Sequence, residues 1–313
     1  MFQLYKKRNF NDLIGDTFNF FKAHGKNYFA NYIVINGGLL LVLIVLLYFF
    51  MKIFYDGLFS NGNVNTGNVF ENYFLQNMEL FIGYGIGAFF LILILSLINS
   101  LYPIAYLKLI DRNEETNATN IWKYIKSKIG KSLVFFLLSM VTIMPIAVLL
   151  GFLCFALVFI LIGIPLILIV IPAIFTCISF AYYNYISTND GYFDSVSKGY
   201  RLFIKKPWPL IGSTMIIYFI VNTVVSFISF IPYFIGIFGV MFNVETQGVE
   251  NQQEVISFMM IMVGITFMLS ISLNYLMQNI VSINQGIMYY SMIDETEKTS
   301  NLSEIDLIGS NEE

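Results

Sequence analysis

Long runs of apolar residues, separated by short polar segments, dominate the chain. These runs cover about residues 33–54, 80–107, 132–189, 210–231 and 255–293. A helix needs about 20 apolar residues to cross the hydrocarbon core of a bilayer. The charge-free run at 132–189 therefore has the length of two helices joined as a hairpin. Gly163 and Pro165 mark the expected turn, although Gly151 is a competing break.

The runs predict an all-α polytopic membrane protein with six transmembrane helices. Strands are disfavoured, because apolar and polar residues do not alternate as they do in an outer-membrane barrel. Pro232 is expected to end or kink the fifth span, after which apolar sequence continues to Phe242. The sixth run exceeds one bilayer thickness, so we expect it to tilt or to project past the membrane.

The basic residues give the orientation. All but Lys52 of the 17 Lys and Arg residues lie in the N-terminal segment, in the segments after spans two and four, or after span six. The facing segments, about 55–77 and 243–254, contain carboxylates but no basic residue. By the positive-inside rule, both termini are cytoplasmic. We expect no cleavable signal peptide, because the first apolar run starts about thirty residues in and is too long.

Cysteine labelling tests this orientation. Single cysteines at position 63 or 247 should react with an impermeant reagent added outside an intact inner membrane, and those at position 117 or 300 should not. The opposite pattern would reverse the topology.

An amphipathic segment precedes each pair of spans. Apolar residues recur at helical spacing along 10–21, 121–129 and 192–203, with polar and basic residues on the opposite face. Such segments are typical of helices lying in the membrane interface with lysines towards anionic headgroups. The simplest account is a threefold internal repeat of one interfacial helix and two spans. The predicted units are about 8–110, 117–189 and 190–293.

The segment SVSKGYRLF at 195–203, followed by Trp208 and Gly212, resembles a signature of a bacterial multi-pass family. That family is labelled after the membrane domain of glycerophosphoryl diester phosphodiesterases. DLIGDTFNFFK at 12–22 is similar to its opening helix, and Tyr289 and Tyr290 to its closing one. The resemblance implies a six-helix inner-membrane protein with no known catalytic residues.

Composition excludes several other classes. The mean hydropathy of +0.72 and the 12% charged residues are unlike those of a soluble globule. Two cysteines cannot build a disulfide scaffold, and a net charge of −3 disfavours nucleic-acid binding. The lone His24 and the separated Cys154 and Cys177 offer no metal or nucleophilic site. We therefore expect no catalytic residue, no metal and no cofactor.

The spans contain neutral polar residues but no ionisable side chain away from their ends, which disfavours proton coupling. In the last helix, Asn274, Gln278 and Gln285 fall on one face with Ser282 nearby, whereas Asn279 and Asn284 point elsewhere. One interpretation is hydrogen bonding between helices, and the other is a polar cavity that faces a ligand or partner.

Residues 294–313 form an acidic cytoplasmic tail, expected to be solvated and mobile in the isolated chain. Within it, an apolar patch of four residues could dock on a partner: Leu302, Ile305, Leu307 and Ile308. Together, these features favour a non-catalytic accessory, scaffold or biogenesis subunit of a larger envelope complex, such as protein-export or membrane-assembly machinery, in contact with membrane lipids and other membrane proteins. The alternative is a small-molecule or lipid carrier with a neutral polar cavity between helices.

Overall fold

The computed structural model describes residues 2–59, 73–247 and 252–309. The side chains of residues 54, 58–59, 243–247, 252–256 and 297–309 lie outside this description. The described ranges are helical throughout except for short connections, and they contain no strand. Six helices are long and apolar enough to cross a membrane. The predicted all-α architecture is therefore confirmed, and the chain is a multi-pass membrane protein.

The first two long helices are α1, Phe10–Phe59, and α2, Met78–Asp111. Asn9 starts α1 with a reciprocal cap: its Oδ1 accepts from the Asp12 amide at 2.9 Å, and its own amide donates to Asp12 Oδ2 at 3.2 Å. The predicted interfacial segment and first span are one continuous helix, because no proline interrupts residues 10–59. At 1.5 Å per residue, α1 is about 75 Å long and must project beyond a bilayer core of about 30 Å.

The predicted hairpin is formed by α3, Ala118–Val158, and α4, Gly163–Ser187. Its turn lies beside Gly163 as expected, whereas Gly151 is inside α3. A Cβ at residue 163 would overlap the Cys154 carbonyl oxygen and the Val158 nitrogen, so the turn requires glycine. The second amphipathic segment also continues directly into its span.

The third amphipathic segment is a helix of its own, α5, Tyr192–Lys205. It is followed by α6, Pro207–Ser229, and α7, Ile231–Gln247. Proline disfavours helical geometry in the preceding residue, and Lys206 adopts φ −143° and ψ 61°. Pro207 therefore separates α5 from α6. Pro232 similarly follows the break between α6 and α7, as predicted.

The last helix, α8, Gln252–Gly309, extends well past the apolar run. Residues 294–308 contain neither proline nor glycine, so nothing local ends the helix before Gly309. The backbone of the acidic tail is thus helical as far as that glycine, where the sequence predicts a mobile segment.

Contacts divide the chain into two compact units. Unit 1 comprises residues 1–35, 97–220 and 279–313, and unit 2 comprises residues 36–96 and 221–278. In unit 2, Leu43, Leu47, Ala88 and Leu95 form an apolar core. In unit 1, residues 101–107 and 283–292 are entirely buried. The unit boundaries do not follow those of the predicted repeat, which stays a prediction.

Candidate functional site

Buried polar side chains join the helices of unit 1, and a first cluster surrounds Tyr28. Its hydroxyl donates to Asn279 Oδ1 at 2.8 Å, and the Tyr32 hydroxyl donates to Asn99 Oδ1 at 2.9 Å. Asn279 Nδ2 donates to the same Asn99 oxygen at 3.1 Å. An unsatisfied buried polar group costs about 1–3 kcal/mol, so these bonds fix how α1, α2 and α8 meet.

A second cluster lies at the next turns of α8. Asn284 Nδ2 donates to Thr17 Oγ1 at 2.9 Å and to Ser213 Oγ at 3.1 Å, which connects α8 with α1 and α6. Gln285 Nε2 donates to Thr214 Oγ1 at 2.9 Å. All five side chains belong to buried residues. The neutral polar groups of this part of α8 therefore serve contacts between helices.

A third cluster centres on Asn184, near the end of α4. Its Nδ2 donates to Asp190 Oδ2 at 2.7 Å and to Ser195 Oγ at 3.1 Å, and its Oδ1 accepts from the Tyr289 hydroxyl at 3.1 Å. Asn184 is fully buried, as is Ser195. One amide thus connects α4, the loop after it, α5 and α8.

This hydrogen bond also acts on Asp190. Donation from Asn184 is the largest influence and lowers the pKa of the carboxyl from its ordinary value of 3.8, with smaller help from Lys198 and Thr188 and opposition from desolvation. Because the pKa of Asp190 is lower in the folded protein, its carboxylate stabilises the fold at pH values above the ordinary pKa of 3.8. That contribution is lost as the pH falls through the lower, folded pKa.

The four residues of the predicted polar stripe have different environments. Asn274 is exposed and donates to the Ser270 carbonyl of its own helix at 2.9 Å. Gln278 and Ser282 are half-buried, and Gln285 is buried. Gln285 forms a hydrogen bond to another helix, as the interpretation of contacts between helices predicts. That the four residues act together stays a prediction.

Asn279 and Asn284 form hydrogen bonds to other helices, although they are predicted to lie off the stripe. For Asn284 the reason is that α8 is buried on every side across 283–292. Residues that share one face of a helix identify its contact surface when only that face is covered, but not when other helices surround it. The sequence feature that could have indicated these contacts is the presence of Asn, Ser and Thr residues in the other helices, such as Asn99, Thr17 and Ser213.

The remaining candidate residues are the docking patch, the single histidine and the two cysteines. The predicted docking patch lies in the helical backbone of α8, and its side chains are outside the described ones: Leu302, Ile305, Leu307 and Ile308. His24 is inside α1, with its ring 5.3 Å from that of Phe20. Both cysteines are free thiols. Among the described residues, no three His, Cys, Asp or Glu side chains are grouped as a metal site.

The segment before α1 is anchored by a buried arginine that the sequence analysis does not single out. Arg8 Nε contacts Asp16 Oδ2 at 2.8 Å, and its two terminal nitrogens donate to the carbonyls of Leu4 and Gln3 at 2.7 and 2.6 Å. The Arg8 side chain is fully buried. These bonds hold the segment against α1.

A cavity of about 320 Å³ lies beside the Asn184 cluster. Its wall includes two lysines, three tyrosines and several hydroxyl-bearing residues: Lys108, Lys198, Tyr5, Tyr289, Tyr290, Ser187, Thr188 and Thr296. The anchored N-terminal segment supplies Tyr5, whose ring meets that of Tyr290 edge-on at 5.2 Å. Leu202 and Ile293 complete the wall, so the cavity is mixed in polarity and contains two lysines, unlike the neutral cavity that the carrier interpretation expects.

Comparison of the chain with protein-family models, with curated proteins and with solved structures gives no match. The functional argument therefore rests on the geometry of the chain itself.

Proposed function

We propose that this protein is a non-catalytic subunit of the bacterial inner membrane that acts by association, as an accessory, scaffold or biogenesis factor of a larger envelope complex. The proposal rests on the exposure of the half of the α3–α4 hairpin that contains its turn, residues 141–171. Between residues 141 and 171, only Cys154 and Gly163 are buried. Near its other end, the same hairpin is well packed, with Ile121, Ile125 and Phe135 fully buried.

The exposed half of the hairpin is strongly apolar, as a surface within a membrane must be. Val141, Leu149 and Phe152 are each more than 65% exposed. A shallow, open apolar groove on α3 is lined by Val148, Gly151, Phe152 and Phe155. A Cβ added at Gly151 would meet nothing within 4 Å. Small residues allow close approach of a second helix, so this groove suits a transmembrane helix of a partner.

The use of polar residues supports the same proposal. The buried amide nitrogens of Asn279, Asn284 and Gln285 on α8 donate to neighbouring helices. The Asn284 Oδ1 and Gln285 Oε1 atoms have no partner among the described residues. The alternative function, a carrier of small molecules or lipids, needs a cavity between helices. Neither the cavity beside Asn184 nor the groove on α3 is lined by Asn274, Gln278, Ser282 or Gln285. Association is therefore the better supported of the two.

Filling the groove tests the proposal. Gly151→Leu should leave folding intact, because space is open at this position, but should reduce recovery of the partner complex after mild-detergent purification by about tenfold. The matched control is Gly83→Leu on α2, where the glycine is also exposed and a Cβ would again meet nothing within 4 Å. The measurement is quantitative mass spectrometry of co-purified proteins.

A photo-crosslinking amino acid at Phe152 makes the test direct. We expect a crosslink to one defined membrane protein in intact cells, and its loss in the Gly151→Leu background. Crosslinks to lipid alone, or equal recovery from both leucine variants, would contradict association through this surface.

A further inference from the structure

The cavity beside Asn184 has the character of an anion site. Lys108 and Lys198 are in its wall, and its lining includes no carboxylate. A third cation is close, because Lys205 Nζ lies 2.8 Å from Thr296 Oγ1, another wall residue. Lysine ammonium groups and hydroxyl groups are donors that a phosphate oxygen can accept from.

Tyr290 is the second observation that indicates a ligand. It lines the cavity, it is only 2% exposed, and its hydroxyl has no hydrogen-bond partner in the described protein. Buried polar groups are nearly always satisfied, so this hydroxyl is available to donate to a group that enters the cavity, either a water molecule or a ligand. By contrast, the neighbouring Tyr289 hydroxyl is already bonded to Asn184.

Four carboxylates lie near the cavity, and three of them pair with lysines. Asp294 and Glu295 flank the wall residues of α8. Glu295 Oε1 lies 2.7 Å from Lys206 Nζ and 3.9 Å from Lys7 Nζ.

Lys108 Nζ pairs with Asp111 Oδ2 at 2.6 Å, and Lys198 Nζ with Asp190 Oδ2 at 3.7 Å. Each ammonium has three donors, so one carboxylate does not saturate it. The Lys198 pair is also partly exposed, and such pairs contribute little energy to hold the side chain in place.

The partial negative charge at the C-terminal end of α4, which forms part of the wall, is also compensated. The C-terminus of a helix carries partial negative charge, which would oppose an anion at the end of α4. However, Lys131 Nζ donates to the Thr188 carbonyl at 2.8 Å and compensates that charge. Wall residues Lys108 and Ser187 lie near the ends of α2 and α4 that carry the basic loops, at the level of lipid headgroups or the adjoining water.

We propose that this cavity binds a phosphate group, carried either by the headgroup of an anionic lipid or by a small soluble anion. Lys108 and Lys198 provide the charge, and the Tyr290 hydroxyl donates to a phosphate oxygen. The site is independent of the hairpin groove, so it can be present whether or not the protein acts by association.

The experiment uses the full chain, purified in a neutral detergent, with two probes. Inorganic phosphate represents the soluble source, and thermal unfolding followed by tryptophan fluorescence measures its binding as a rise in Tm. Nanodiscs containing phosphatidylglycerol, compared with phosphatidylcholine alone, represent the lipid source. Native mass spectrometry then counts the lipids that remain bound to the protein after it is released from the nanodisc.

Three variants assign the binding to the cavity. Tyr290→Phe should weaken binding by about tenfold without lowering the Tm of the ligand-free protein, because the hydroxyl has no partner to lose. The double variant Lys108→Gln/Lys198→Gln should weaken it by about a hundredfold. Its control is Lys22→Gln/Lys26→Gln on α1, where both lysines are exposed, which removes the same charge outside the cavity.

The outcomes separate the two sources. A Tm rise with phosphate that the cavity variants abolish identifies a soluble anion. Retained phosphatidylglycerol that the cavity variants lose and the control keeps identifies a lipid. If neither probe binds, or if the control double variant loses as much as the cavity variants, the cavity is not a phosphate site.

Discussion

Gly199→Ala should destabilise the protein by about 3 kcal/mol, although alanine favours helix more than glycine does. Gly199 is buried where α5 crosses α4, and a Cβ there would lie 2.6 Å from the Ala181 nitrogen and 2.9 Å from its Cα. These are backbone atoms that cannot rotate away, so α5 must move off α4. Unfolding by heat or by SDS, followed by tryptophan fluorescence, measures the loss.

Gly130→Ala is the matched control for that prediction. Gly130 also lies inside a helix, but it is exposed and a Cβ there would meet nothing within 4 Å. The same substitution should therefore stabilise the protein by about 0.5–1 kcal/mol through helix propensity. Equal effects of the two substitutions would mean that α5 does not pack on α4 as closely as the structure has it.

Asn184→Leu should cost about 3 kcal/mol, because it removes two buried hydrogen bonds and one part-buried hydrogen bond at once. The Tyr289 hydroxyl, the Ser195 hydroxyl and the Asp190 carboxylate would each lose the same amide. The pKa of Asp190 should also rise towards its ordinary value, since its largest stabilising contact is gone. Denaturation at neutral and at acidic pH would show both effects. The difference in free energy of unfolding between the variant and the wild type should shrink as the pH falls.

The control for Asn184 is Asn274→Leu. Asn274 is exposed, and within the described residues its side chain bonds only to a carbonyl of its own helix. Leucine there should therefore change stability by less than about 1 kcal/mol. Similar losses from both asparagines would remove the distinction between the buried cluster and the exposed part of α8.

The sequence by itself determined the architecture of this protein. Six spans, the hairpin turn beside Gly163 and the break before Pro232 follow from local rules, because the length of an apolar run and the position of a proline act within a few residues. The same rules explain why α5 is a separate helix: Pro207 follows it, whereas no proline ends the other two amphipathic segments before their spans.

Only the tertiary structure decided which polar residues matter. Asn184, Asn279 and Asn284 lie in apolar helices, and their importance depends on partners that are distant in the chain, such as Tyr28 and Thr17. Hydrogen bonds form between atoms that packing brings within about 3 Å, and periodicity along one helix does not contain that information. The cavity beside Asn184 has the same origin, because segments around residues 5, 108, 198 and 290 meet there only after the helices pack.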